Sequence, residues 1–381
     1  MLATSHLRHY VAQIAKNCKN GWLSQPFSHS SIQPLNKVTL SYMTNLLHFP
    51  TLLLSSILSL SVVAETGPQP IPAIQSDLAK QRLLTDITLI NDKIVTVGER
   101  GHILISSDGE TWQQANVPVS VLLTSVAFVS ETTGYAVGHD AVILKTTDGG
   151  LNWTLVNYQP ELDRPLLSVS GAADQIVAVG AYGLYYESRD GGETWTSLFQ
   201  DELLREDDRL YLQDIKEFEP ENYERERQYL LPHFNDLLIK GDTWYMAGEA
   251  GFLAKSINQG KDWQRLEIDY YGSFFAVEKA KSDEQQLIVA GLRGNLFVEQ
   301  GEDWSGETLP GKATLNDVLL NNEQMFLFGN SGNLYMGKVN QALKHHVFDD
   351  GKAVMSGVVL KDKLVLATEA GVKTMLISEI K

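Results

Sequence analysis

The feature that most constrains this chain is a period. An apolar run ending in Gly, two variable residues, often a second Gly, and a further apolar run recur seven times. The copies read "VGERGHILIS" (97–106), "VGHDAVILKT" (137–146), "VGAYGLYYES" (179–188), "AGEAGFLAKS" (247–256), "AGLRGNLFVE" (290–299), "FGNSGNLYMG" (328–337) and "ATEAGVKTML" (367–376). Their leading positions are Gly98, Gly138, Gly180, Gly248, Gly291, Gly329 and Thr368, in steps of 40, 42, 68, 43, 38 and 39 residues. A unit of about 40 residues with four strand-like runs cannot bury its apolar faces alone, and stacking several around an axis solves that problem. The spacing predicts an all-β, seven-bladed β-propeller over 65–381. In the first unit "TDITLIND" is the inner strand, "KIVTVGE" the second, "HILISS" the third and "WQQANVP" the outer one. Inner strands, flanked by blades on both sides, are expected to be the most apolar. The last unit ends after its third strand, so "PQPIPAI" (68–74) is expected to supply the fourth and close the ring.

A second motif joins third strand to fourth: "SSDGETW" (106–112), "TTDGGLNW" (146–153), "SRDGGETW" (188–195), "SINQGKDW" (256–263) and, fainter, "VEQGEDW" (298–304). Short hydroxyl and carboxylate side chains bond the backbone of a tight turn, Gly supplies a positive φ, and Trp opens the outer strand with a large apolar area. The residues assigned to these turns are Ser106, Asp108 and Trp112; Thr146, Asp148 and Trp153; Ser188, Asp190 and Trp195; and Ser256, Asn258 and Trp263. The motif resembles the Asp-box, or bacterial neuraminidase repeat, and that resemblance implies staples at the periphery rather than reactive aspartates.

With these turns, the Gly-x-x-Gly loops and seven units, residues 65–381 look like the photosystem II stability and assembly factor family. The resemblance implies an exported, non-catalytic propeller that assists a membrane protein complex. Bacterial relatives point to exporters of the resistance-nodulation-division type. Photosynthetic members hold their client on an Arg-rich surface. Here only Arg100 and Arg293 lie in matching loops, among as many acids.

Charge and targeting agree with an exported protein. The chain has 31 basic and 47 acidic residues, a net charge of −16, which argues against nucleic acid as a partner. It also argues against direct binding to anionic lipid. "LLHFPTLLLSSILSLSVV" (46–63) followed by "A|ETG" reads as a signal peptide cleaved after Ala64, with Met43 as an alternative start. The expected mature chain is periplasmic or secreted and monomeric. The single cysteine, Cys18, falls in the removed part, so no disulfide is expected. No metal or cofactor is expected either: the only adjacent histidines, His345 and His346, would point to opposite faces of a strand.

In a propeller the loops between second and third strands share a face with the connections between blades. This places Glu99, Arg100, His139, Asp140, Tyr182, Glu249, Arg293, Asn330 and Glu369 around one mouth as candidate partner-binding residues. The 68-residue step marks an insertion at 201–234 on that same face, acidic and with helical spacing, broken at Pro220. Read as a docking arm, it offers Tyr211, Phe218 and Tyr223 as apolar contacts, beside Leu203, Leu210 and Tyr229. An enzyme is the weaker reading. A sialidase-like or other glycoside hydrolase using Glu99, Asp140, Glu249 or Glu369 is the alternative, but the chain has one loop Arg too few for a sialidase clamp. It also has no Gly-x-Ser-x-Gly, His-Glu-x-x-His or phosphate-loop motif.

Overall fold

The computed structural model describes residues 69–280 and 286–380, all within the compact unit Ala64–Lys381. The signal-like segment, the cut after Ala64 and Cys18 lie outside the described residues. Seven antiparallel sheets follow one another along the chain, and each inner strand packs on the next. The blades run Leu84–Gln114, Leu123–Asn157, Leu166–Ser197, Phe234–Arg265, Phe274–Glu307, Leu315–Val347 and Val354–Leu376. This is a seven-bladed β-propeller.

Two expectations are corrected. The last blade keeps three strands, and 69–76 does not complete it. That segment lies against the outer edge of blade one instead: Ala73 N–H donates to the Val117 carbonyl (3.0 Å) and Gln75 Nε2 to the Ala115 carbonyl (2.9 Å). The ring closes by packing. Leu84, Ile87, Ile94 and Leu104 of blade one bury against Val358, Leu360, Val365 and Ala367 of blade seven. Nor are the inner strands the most apolar. The second strands are: Lys93–Gly98, Gln175–Gly180, Thr243–Gly248 and Gln324–Gly329 each bury every residue after the first. An inner strand turns one edge to the central channel, where water requires polar partners for its backbone.

Each inner strand begins with a bulge, as between Leu84 and Asp86. The bulge presses the strand's entry against the Gly that ends the second strand. A Cβ on Gly98 would lie 2.1 Å from the Leu83 carbonyl oxygen, so at this position Gly is set by space. Thr85 and Asp86 are thereby both brought to the channel.

The repeated turns sit on the opposite, lower face and act as bolts. Ser188 Oγ donates to Asp190 Oδ1 (2.8 Å), while Asp190 accepts the Glu193 and Thr194 N–H groups (3.1 and 2.9 Å). Ser106/Asp108, Thr146/Asp148 and Ser256/Asn258 repeat the first bond at 2.9–3.0 Å. These donors hold the Asp190 carboxyl down at about 2, first through Thr194, and depress Asp108 and Asp148 likewise. Trp153 and Trp263 are buried at seams between blades, whereas Trp112 and Trp195 are half-buried. Trp195 packs edge-on to Tyr135 of blade two, whose hydroxyl donates to the Gly191 carbonyl (2.6 Å).

Candidate partner-binding face and channel

On the upper face the loops repeat one conformation with different chemistry. In six blades the second variable residue is left-handed: Arg100, Asp140, Tyr182, Ala250, Arg293 and Ser331 have φ between 53° and 60°. Holding bulky residues there costs on the order of 1 kcal/mol each. The fold thus presents a varied ring of side chains on a fixed frame.

The structure gathers only some of the candidate residues. Tyr182 and Glu249 belong to one cluster. Tyr182 meets the His233 ring (4.5 Å) and the Tyr229 ring (5.3 Å), and Glu249 pairs with His233 Nδ1 (3.4 Å). Beneath them Arg164, 6% exposed, stacks on Tyr229 at 4.5 Å and donates to the Gln228 carbonyl and side chain (3.1 and 3.2 Å). No carboxylate pairs with Arg164 among the described residues. A recess of about 300 Å³ beside this cluster is lined by Tyr182, Arg205, Asp208, Tyr229, Glu249 and Arg265. Glu99 with Arg100, His139 with Asp140, and Arg293 stand apart on the tops of blades one, two and five. Glu369 pairs with Lys352 (3.3 Å), and Asn330 faces the channel, accepting from Asn316 Nδ2 (3.0 Å).

The insertion folds as a helix Glu206–Phe218, a turn at Pro220 and a short helix Tyr223–Arg227. It is anchored rather than free. Leu203, Leu204, Leu212 and Leu231 are buried in the cluster shared by blades three and four, and Arg265 Nη1 donates to the Leu203 carbonyl (3.0 Å). Tyr223 packs against that cluster with the Lys216 and Arg227 side chains 5.7 Å from its ring. Of the expected contacts, Phe218 (72% exposed) and Tyr211 (41%) remain outward, the latter donating to Glu226 (2.8 Å).

Sequence reasoning passed over the channel, a cavity of about 630 Å³. The third residue of each inner strand reads Asp86, Ser125, Ser168, Asp236, Ala276, Asp317 and Ser356 around the ring. Asp86 Oδ2 accepts Val126 N–H and Asp236 Oδ2 accepts Val277 N–H, both at 2.8 Å, while Ser356 donates to Asp317 (2.7 Å). The carboxyls lie deep, half-exposed to the channel, and no Lys, Arg or His lines it among the described residues. Desolvation therefore raises all three, Asp236 to about 6 and Asp317 to about 7. A column of polar residues in otherwise apolar strands was the available signal.

With this geometry in view, the chain can be set beside known proteins. The family profile described as Photosynthesis system II assembly factor YCF48 matches residues 79–212. A photosystem II assembly lipoprotein Ycf48 of Synechococcus sp. (strain CC9902) is 27% identical over 229 residues, covering 58% of this chain and 61% of the relative. A photosystem II assembly protein Ycf48 of Synechococcus sp. (strain JA-2-3B'a(2-13)) is 33% identical over 92 residues, covering 23% of this chain and 27% of that protein. The chain thus spans less than two thirds of either curated relative. A solved structure, "YCF48 bound to D1 peptide", superposes with a TM-score of 0.58 at 16% identity, covering 81% of this chain and 99% of that one. These likenesses lend no support to the exporter or sialidase-like readings.

Proposed function

From the likeness of residues 79–212 to the photosystem II assembly factor profile, we propose that the chain is a non-catalytic accessory or assembly factor for a membrane protein complex. It docks with its upper face on an exported segment of the client. The observation that carries this reading is the asymmetry of the two faces. On the lower face the Ser and Asp side chains of the repeated turns are taken up by bonds within the turn, whereas on the upper face a ring of fixed backbone conformation displays unlike side chains beside an anchored arm. Binding residues are commonly loop residues positioned by such a rigid scaffold. The relatives' names support the direction: one is a photosystem II assembly lipoprotein and a structural neighbour is bound to a D1 peptide. For this chain the client is a membrane protein segment, met after export and removal of the leader at Ala64. The protein acts as a monomer and the contact is protein to protein, without direct lipid binding. Among the described residues no helix is long and apolar enough to cross a membrane.

The test is affinity isolation of the full chain from solubilised envelopes, with bound proteins identified by mass spectrometry at low and high salt. One membrane complex should be enriched, and a mixed-charge face predicts that the yield falls as salt rises. Enrichment of soluble proteins alone, or glycan turnover abolished by Glu249→Gln, would overturn the proposal.

A further inference from the structure

The innermost strands of a propeller expose backbone groups along the channel, and in four blades of this ring the first carbonyl of the inner strand is bonded from the preceding blade. Thr85 Oγ1 donates to the Leu123 carbonyl, Thr124 Oγ1 to Leu166 and Asn235 Nδ2 to Phe274, each at 2.7 Å, and Asn316 Nδ2 donates to Val354 at 2.8 Å. The next layer adds the Asp and Ser column. Val169 N–H donates to Ser125 (3.3 Å), Ser168 Oγ to Asp236 (3.0 Å) and Ser356 Oγ to Asp317 (2.7 Å). Five of the seven seams are joined in this way, and the seam between blades seven and one is joined lower down, where Thr374 Oγ1 donates to the Gly109 carbonyl (3.1 Å).

The seam between blades five and six is not. The two equivalent positions in blade five are Phe275 and Ala276, and neither side chain can donate or accept. Among the described residues the one direct hydrogen bond between blades five and six is Asn340 Nδ2 to Gln286 Oε1, exposed and 3.3 Å long, and Tyr335 Oη donates to the Pro310 carbonyl of the connection between them (2.7 Å). Other seams carry further bonds beyond the channel. Lys145 pairs with Glu193 across blades two and three (2.6 Å), and Lys240 with Glu278 across blades four and five (3.3 Å). Blades five and six otherwise meet through an apolar cluster whose blade-five side includes three alanines, Ala276, Ala280 and Ala290. Alanines offer little area to bury.

We infer that the propeller has a built-in opening point: the ring parts first between blades five and six, while the other six seams stay closed. Local openings of this kind draw on the least-bonded part of a structure and are read by amide exchange. The experiment is hydrogen exchange by mass spectrometry on the full chain under native conditions. Peptides covering Phe274–Lys279 and Leu315–Asn321 should exchange at least tenfold faster than those covering Leu123–Phe128 and Leu166–Ala172. Equal rates, or a faster seam elsewhere, would overturn the inference. Ala276→Ser, which copies Ser125 and Ser168, should slow exchange at this seam several-fold and leave the others unchanged. Should that variant not fold, Ser168→Ala is the second arm. It should raise exchange on Leu166–Ala172 and Phe234–Lys240 toward the rate of the open seam. No change there would mean that the channel bonds do not hold the blades together.

Discussion

The channel carboxylates give a stability prediction whose sign is opposite to ordinary acid denaturation. In the unfolded chain an Asp titrates near 3.8, whereas folded Asp236 holds its proton to about 6 and Asp317 to about 7. Between these limits the folded state binds more protons than the unfolded one, so stability falls as pH rises and levels off above the folded values. Moving from pH 5 to 7.5 crosses about one unit for Asp236 and two for Asp317, a ceiling of ~4 kcal/mol at 1.36 kcal/mol per unit. Both side chains line the open channel, and screening by solvent there reduces the expected loss to about 1–2 kcal/mol. The assay is urea unfolding at pH 5.0 and 7.5 of the wild type and of the Asp236→Asn, Asp317→Asn double variant. Taking the difference removes other titrations, among them buried His102, whose depressed affinity for a proton works in the opposite direction. The wild type should be more stable at pH 5.0 by about 1–2 kcal/mol relative to the variant. An equal pH response in both proteins would refute the reasoning.

Three further outcomes follow from packing. Trp153→Ala and Trp263→Ala, each at a residue 5% exposed, should cost about 3–5 kcal/mol in denaturant unfolding, and half-buried Trp195→Ala distinctly less. Gly192→Ala should cost more than about 2 kcal/mol, because φ is 76° and the new Cβ would lie 2.5 Å from the Tyr135 ring. Arg164→Ala should release the arm's C-terminal end, seen as faster limited proteolysis within 220–230 with the thermal midpoint little changed, since that residue holds Gln228 and Tyr229 to blade three.

The blades and their order were legible because each unit repeats a local constraint: the Gly that meets the inner strand's bulge and the Ser/Thr turn that bolts the outer strand. Closure was not. The three-stranded last blade looks incomplete as a pattern, and only packing shows that Val358 and Val365 already cover Leu84 and Ile94. The channel is not legible from a rule that makes inner strands the most apolar. The Asp, Ser and Ala at one repeat position obey a different requirement, the backbone's need for partners at an open edge. The arm was legible as helical and acidic. Its anchoring by Arg164 was not, since the two lie 64 residues apart in sequence. Removing 203–229 altogether would uncover the buried cluster around Leu203 and Leu212, so point substitutions are the cleaner probe of its role.

The claim that the upper face captures the client is tested most directly by comparing the two faces in one co-isolation experiment. Tyr182→Ala with Tyr229→Ala alters the upper cluster, and Ile257→Ser alters a still more exposed site on the lower face. All three proteins should unfold within about 1 kcal/mol of one another, as expected for surface positions. The upper-face variant should recover at most a tenth of the membrane complex bound by the wild type, with the lower-face variant unchanged. Full recovery by the upper-face variant, or loss confined to Ile257→Ser, would contradict it.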